Sequence, residues 1–530
     1  MVNGRKLPVG IQDFEKLRTN NCLYVDKTEY VYQLTRENWS YFLGRPRRFG
    51  KSLLLSTLKA YFLGKKELFE GLAIAGLEKE WIEYPVFHLD MNLGSYLNLD
   101  SLYSVLNTNL NKLEEQWGKD ENEHTPEARF YSLIRRACVQ SGRKVVVLVD
   151  EYDKPLLGLK DDLKDVDNDI RKLLKGFYGI LKSADEYLRF VFLTGVTKFA
   201  RVSVFSDLNH LTDISLHENY AGICGISETE LTNVFEPEIN ALAVKLRKSY
   251  NKTLGELKKR YDGYHFSKKS EGVYNPYSLL RTFVAGELHD YWFETGTPTF
   301  LVRMLRDMNF DIERLENNVK ISARALSEYM VGNDDPTTLL YQTGYLTIKG
   351  YNAKNNIYTL GFPNEEVKYG FLYTLFPAYM PKTNILTEFF VWNFIEDLQA
   401  GNVESFMIRL KAFFAENSYE LDNKTERHFQ VVLYLLFKLM GQFVKVESRS
   451  ALGRADVVVV TNKIVYVFEL KITGRGTAES ALKQIDNKGY IIPYSAGKIY
   501  PNGGRKKLVK IGAEFSTKER GLRRWIISSI

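Results

Sequence analysis

A glycine, a lysine and a serine stand in immediate succession at Gly50-Lys51-Ser52. They follow the apolar run Tyr41 to Leu43 and open a helical stretch, Leu53 to Leu63, that Gly64 stops. Such a junction suits phosphate chemistry: amides at a helix N-terminus cradle phosphate oxygens, an ammonium reaches the outer phosphates, and a hydroxyl ligates Mg²⁺. The usual spacing, G-x-x-x-x-G-K-[ST], puts its first glycine at residue 45, where this chain has Arg45; Gly44 lies one place early. Taken alone, the segment reads equally as a lysine at an ordinary helix start.

A phosphate-binding reading needs carboxylates elsewhere. Lys144 to Asp153 supplies them: the aliphatics Val145 to Val149 predict a strand buried on both faces, as in parallel sheets, and Asp150 and Glu151 end it. Open α/β sheets bind ligands at that end. In a nucleotide hydrolase the first carboxylate would hold the metal and the second would orient or deprotonate the attacking water. A third such strand, Arg189 to Thr197, places Thr194 where a γ-phosphate sensor would lie; it reads equally as a strand followed by a turn. Lys198 or Arg201 could meet phosphate just beyond it.

A second constellation lies near the other end of the chain. Asp456 opens one predicted strand, Ala455 to Val460, and Glu469 closes the next, Ile464 to Leu470. A hairpin turning near Thr461-Asn462-Lys463 brings both carboxylates to one end of a sheet. Lys471 is two residues beyond Glu469, so both side chains point the same way. Two carboxylates holding Mg²⁺, with an ammonium near an attacking water, form a metal-dependent phosphodiesterase site. The same residues also fit an ordinary surface hairpin. Favouring the site are the upstream helix Thr425 to Met440, with Glu426 and Gln430 one turn apart, and a downstream helix, Thr477 to Ile485, with Gln484.

The elements that must position these groups follow in order. Glu29 to Arg36 is amphipathic, Pro85 to Asp90 reads as a strand, and Leu102 to about Val139 reads as helical. From about 205 to 290 the pattern is helical with aromatic punctuation, as in Tyr261-Asp262-Gly263-Tyr264-His265-Phe266, and is expected to form a lid. His265 fits a satisfied core histidine better than a base. A hairpin is expected from Thr343-Gly344-Tyr345-Leu346 and Ile357-Tyr358-Thr359-Leu360, within a helical linker that is winged-helix-like. The expected divisions are 1–285, 286–385 and 386–530.

The 530 residues are 45% hydrophobic and 26% charged with 14 prolines, a globular balance with room for several cores. There is no run of the roughly 20 apolar residues a membrane helix needs and no signal-peptide core after Met1, so a cytoplasmic protein is expected. Cys22, Cys138 and Cys224 are too dispersed for a disulfide framework or a zinc site. From Lys498 to Ile530, nine Lys/Arg face two acidic residues, an excess equal to the whole chain's +7. That cluster is either a solvated surface or a footprint for a phosphate backbone.

Leu7 to Phe14, Tyr24 to Thr28, Arg45 to Ser52 and Val149 to Asp153 closely resemble the bacterial AAA-ATPase-like family. Gly453-Arg454-Ala455-Asp456 and Phe468-Glu469-Leu470-Lys471, with Ala481 to Ile485, resemble the PD-(D/E)XK nuclease domain commonly fused to it. Ala455 replaces the proline usual before the nuclease aspartate. The resemblance implies an α/β architecture: a P-loop NTPase parallel sheet of the additional-strand kind, with helical lid and linker subdomain, followed by a restriction-endonuclease-like α/β domain. It implies ATP and Mg²⁺ as cofactors, with Arg48, Gly50, Lys51, Ser52, Asp150 and Thr194 at the nucleotide and Glu151 catalytic. In the nuclease domain it implies metal on Asp456 and Glu469, with Lys471 assisting the nucleophile and Glu426 adding a metal or water contact. The expected function is an ATPase coupled to a DNA-cleaving nuclease that meets DNA through its basic C-terminal domain, with a homo-oligomer as an option. The alternative is a nucleotide-dependent switch whose nuclease-like domain only binds nucleic acid.

Overall fold

The computed structural model describes residues 4–94, 96, 98–157, 164–198, 211–293, 299–308, 310, 312–315, 319–327, 335–379, 387–416, 426–441, 445–448, 457–495, 506–516, 518–519 and 521–529. The chain forms two compact units, one of residues 1–296 with 314–367 and one of 297–313 with 368–530. The stretch 286–385, expected as a separate linker, contributes to both.

The first unit is built on five parallel strands: β1 (Ser40–Gly44), β2 (Val86–Asp90), β3 (Val145–Asp150), β4 (Leu188–Gly195) and β5 (Thr212–Asp213). Their order is β2-β3-β4-β1-β5. All six residues of β3 are buried, as its unbroken aliphatics require. β4 lies between β1 and β3, which makes it the additional strand, and it sets Thr194 beside Leu43 in register. Helix α1 (Lys51–Phe62) follows β1 directly. The long helical stretch expected after β2 is two helices, Leu99–Trp117 and Pro126–Ser141. Gly118, at φ 84°, ends the first, and Thr125 caps the second ahead of Pro126, where a missing amide N–H costs nothing.

The lid has its own core, in which Leu231, Phe235, Ile239, Leu257, Tyr261, Leu279 and Phe283 are buried together. It contains a two-stranded ladder of β6 (Ile226–Ser227) and β7 (Val273–Tyr274) and helix α2 (Pro276–Ala285), capped by Asn275. Beyond it, β8 (Val319–Ser322), β9 (Thr347–Asn352) and β10 (Ile357–Gly361) pair antiparallel in the order β8-β10-β9. Short helices Ala323–Ser327 and Thr337–Gln342 lie between β8 and β9. The expected hairpin is present, but its first strand starts at Thr347, because Gly344 turns at φ 92°. Helix α3 (Glu365–Tyr379) follows.

In the second unit, helix α4 (Glu426–Met440) precedes β11 (Lys445–Ser448), β12 (Val457–Val460) and β13 (Ile464–Ile472). Then come helix α5 (Ala478–Asn487), β14 (Lys507–Ser516) and β15 (Gly521–Ser529). The strands run β11-β12-β13-β14-β15, all antiparallel except the β13–β14 pair. Val458, Val465, Val467, Ile485 and Leu508 form a core between this sheet and α5. On the other side, Phe468 packs on Phe406 and Phe437, and the Tyr466 hydroxyl donates to the Leu398 carbonyl at 2.7 Å. Among the described residues no helix is long and apolar enough to cross a membrane.

Candidate functional site

In the first unit, the chain leaves β1 into residues 45–50 and enters α1 at Lys51. Gly50 caps the helix at φ 92°, and a Cβ built there would meet nothing within 4 Å, so the helix start has open space before it. Lys51 is almost fully buried and donates to the carbonyls of Arg45 (3.0 Å) and Pro46 (3.2 Å). Across the sheet, Asp150 closes β3 and Thr194 stands near the end of β4. The Thr194 hydroxyl donates to Asp150 Oδ1 at 2.8 Å, and the Glu151 N–H donates back to that hydroxyl at 3.3 Å. Glu151 has left the strand at φ 50°, an unusual conformation for a non-glycine residue. In register on β2, Asp90 pairs with Asp150. Lys51, Asp150, Glu151 and the Thr194 hydroxyl therefore lie at the C-terminal ends of adjacent parallel strands, the expected ligand edge of such a sheet.

The side chains between these landmarks are held by the surrounding fold. Arg45 is buried: its guanidinium donates to the carbonyls of Gly44, Ser215 and Tyr220 at 2.8–3.0 Å and lies 4.1 Å above the Phe266 ring. Burial lowers its pKa, and those carbonyls accommodate the charge. Position 45 needs no glycine because the left-handed residues of this loop are Arg48, at φ 70°, and Gly50. Arg48 stacks on Tyr277, 4.6 Å from the ring centroid. Phe49 is buried against Tyr264 and Phe266. The lid's aromatic motif thus forms the wall of the loop. Its His265 binds the Ser270 carbonyl through Nδ1 at 2.8 Å. Lys198 is paired with Asp213 at 2.9 Å; Arg201 lies outside the described residues.

Asp153 has no exposed surface. Its Oδ2 accepts the N–H groups of Val196 (3.0 Å) and Thr197 (2.6 Å) and the Thr197 hydroxyl (2.7 Å). Burial raises its pKa. The neighbouring Tyr152 hydroxyl donates to the Thr197 carbonyl. These bonds tie the turn after β3 to the turn after β4, so Glu151 and Thr194 are held as one piece.

In the second unit, Glu469 is buried on β13. Its Oε1 accepts from the Lys471 ammonium at 2.9 Å and from the Gln484 amide on α5. Gln484 reaches it because Gly512, the register partner of Glu469 on β14, has no side chain. A Cβ there would lie 2.3 Å from the Ala478 carbonyl oxygen and 2.8 Å from the Leu482 nitrogen. Val457 pairs with Phe468, and the hairpin turns at Thr461, whose N–H donates to the Ile464 carbonyl. Asp456 lies outside the described residues, as does the Glu426 side chain; Glu426 is the first residue of α4.

Residues 8–205 match the family described as "Predicted AAA-ATPase", and residues 424–525 match the PD-(D/E)XK nuclease superfamily. A protein of Azotobacter chroococcum mcd 1, described as an uncharacterized protein in the vnfD 5′ region, is 35% identical over 537 residues, covering 99% of each chain. The chain belongs to the AAA-ATPase-like family, with a PD-(D/E)XK nuclease-superfamily domain.

In this AAA-ATPase-like protein the donor sets suit the groups they would hold. Ser52 and Asp150 offer hard oxygens for Mg²⁺ beside the open start of α1, and Lys51 offers the phosphate contact. In the PD-(D/E)XK domain, no cluster of three or more ligating His, Cys, Asp or Glu occurs among the described residues; of the two expected metal ligands, Glu469 lies among them. The basic stretch is partly neutralised: Lys510 pairs with Asp486, Arg523 with Glu514 and Glu519, and Arg524 with Glu479. Arg45, Asp153 and Gly512 were not identified from sequence as functional. Their signals were an arginine in a glycine's place, the second aspartate after β3, and a glycine inside an otherwise apolar strand.

Proposed function

We propose that this protein binds and hydrolyses ATP in its first unit and cleaves DNA phosphodiester bonds with Mg²⁺ in its second. The observation that carries the nuclease reading is the convergence of Lys471 and Gln484 on the buried carboxylate of Glu469. An isolated surface hairpin has no reason to bury a carboxylate and surround it with donors, because the desolvation cost is recovered only by such partners. In this reading Asp456 completes the metal-binding pair. A bound Mg²⁺ would supply charge stabilisation at the scissile phosphate, Glu469 would hold it, Lys471 would position the attacking water, and Gln484 would fix the carboxylate's orientation. In the first unit, Lys51 would exchange the carbonyls of Arg45 and Pro46 for phosphate oxygens, Asp150 and Ser52 would hold Mg²⁺, Thr194 would contact the γ-phosphate, and Glu151 would orient water. The short helices and returning hairpin from β8 to β10 have the connectivity of a winged helix, and we read this part of the first unit as a winged-helix-like subdomain.

Supercoiled plasmid nicking, with and without ATP and Mg²⁺, tests the proposal. Glu469→Ala is expected to abolish nicking while leaving ATP turnover, and Lys51→Ala to abolish turnover. Mg²⁺-dependent nicking that survives Glu469→Ala in pure protein sinks the nuclease assignment.

A further inference from the structure

The carbonyls of the loop before α1 are bound on the protein side almost without interruption. Gly44 O accepts from Arg45, Arg45 O and Pro46 O from Lys51, Arg47 O from the Trp292 indole N–H at 3.3 Å, and Phe49 O from the Gly225 N–H at 3.3 Å. A trans peptide is planar with N–H opposite C=O, so a carbonyl bound on one side turns the next residue's N–H to the other. Trp292 therefore orients the amide of Arg48, the non-glycine residue this loop holds at φ 70°.

Trp292 is in turn held on both sides. Its own backbone N–H donates to Glu366 Oε1 at 2.9 Å, and the same oxygen accepts the Ser278 hydroxyl from α2 at 2.9 Å. Glu366 has no exposed surface. The Trp292 ring lies edge-on to Tyr345 at 5.1 Å, next to Gly344, where a Cβ would come within 2.7 Å of Pro46 Cβ. When phosphate draws Lys51 away, the carbonyls of Arg45 and Pro46 lose their donor, while that of Arg47 keeps one.

We propose that Trp292, fixed by Glu366, is a positioning residue for the nucleotide: its indole N–H keeps the Arg48 amide turned toward the phosphates after Lys51 has left the loop. This rests on the nucleotide-site reading above. The test is calorimetric binding of ATPγS with Mg²⁺ to the full chain, together with steady-state ATPase kinetics. Trp292→Phe keeps an aromatic ring and removes the N–H. It is expected to weaken ATPγS binding and raise KM by about two- to tenfold, the scale of one hydrogen bond, with kcat within about twofold. Glu366→Gln, which keeps an acceptor for Trp292 and Ser278, is expected to bind as wild type; Glu366→Ala is expected to follow Trp292→Phe. Wild-type affinity in Trp292→Phe, alongside lost affinity in Lys51→Ala, overturns the inference and leaves the nucleotide site intact. Unchanged affinity in Lys51→Ala overturns the nucleotide-site reading itself.

Discussion

Glu366→Gln makes a sharp prediction about stability as well. Burial pushes the Glu366 carboxyl from its ordinary 4.5 up to about 8, against the lowering effect of the Trp292 N–H and Ser278 hydroxyl. Asp290 raises it further, Arg260 lowers it, and the hydroxyls of Tyr261 and Tyr264 feel its charge. The folded chain therefore binds a proton that the unfolded chain releases above about pH 4.5. The stabilisation from that proton is fully present below the unfolded value, declines as pH rises, and is gone once pH passes about 8. The interval corresponds to an upper bound of about 5 kcal/mol, or about 5–10 °C in the first unit's melting temperature. Glutamine cannot titrate, so the variant lacks this decline. Calorimetric melting of both chains from pH 5 to 9 checks it: the variant is expected to match or fall slightly below wild type at pH 5 and to exceed it at pH 9. Melting curves that stay parallel across that range would refute the reasoning, since they would mean Glu366 is ionised in the folded state.

Other changes probe the rest of the architecture. Gly512→Ala places a Cβ against the α5 backbone; it is expected to cost about 1–3 kcal/mol in urea unfolding of the second unit and to lose nicking as Gln484 is moved off Glu469. Gln484→Ala keeps the helix seated, so it should lower nicking by about tenfold or more with little change in stability, read from the same two assays. Asp153→Ala strands three buried donors at Val196 and Thr197 and should cost about 2–5 kcal/mol. Asp153→Asn keeps an acceptor for the two backbone N–H groups, so thermal melting should separate the pair.

What the sequence made legible were groups whose geometry is set by short-range periodicity. Five aliphatics ending in Asp150 and Glu151 read as a strand buried on both faces, as β3 is, and the carboxylates fall at its ligand edge. Glu469 and Lys471, two apart on a strand, meet for the same reason, whereas Gln484 joins them because Gly512 lets α5 come close. What stayed hidden depends on long-range closeness. Trp292 reaches a carbonyl 245 residues away in the chain, and nothing local marks it. Lys507 to Ser529 reads as charge, yet it forms β14 and β15, because nine consecutive residues of β14 are buried and it pairs with β13 on one side and β15 on the other. The first glycine of the phosphate loop is the instructive case. Its absence is a defect only if the motif is a spacing rule. The physical requirement is for left-handed backbone where the loop turns, and this chain meets it at Arg48 and Gly50. That leaves position 45 free for a side chain long enough to bind three carbonyls from inside the fold. A glycine at 45 would restore the familiar spacing and remove that anchor, so Arg45→Gly is expected to weaken ATPγS binding in calorimetry, and unchanged or tighter binding would show that the loop does not depend on it.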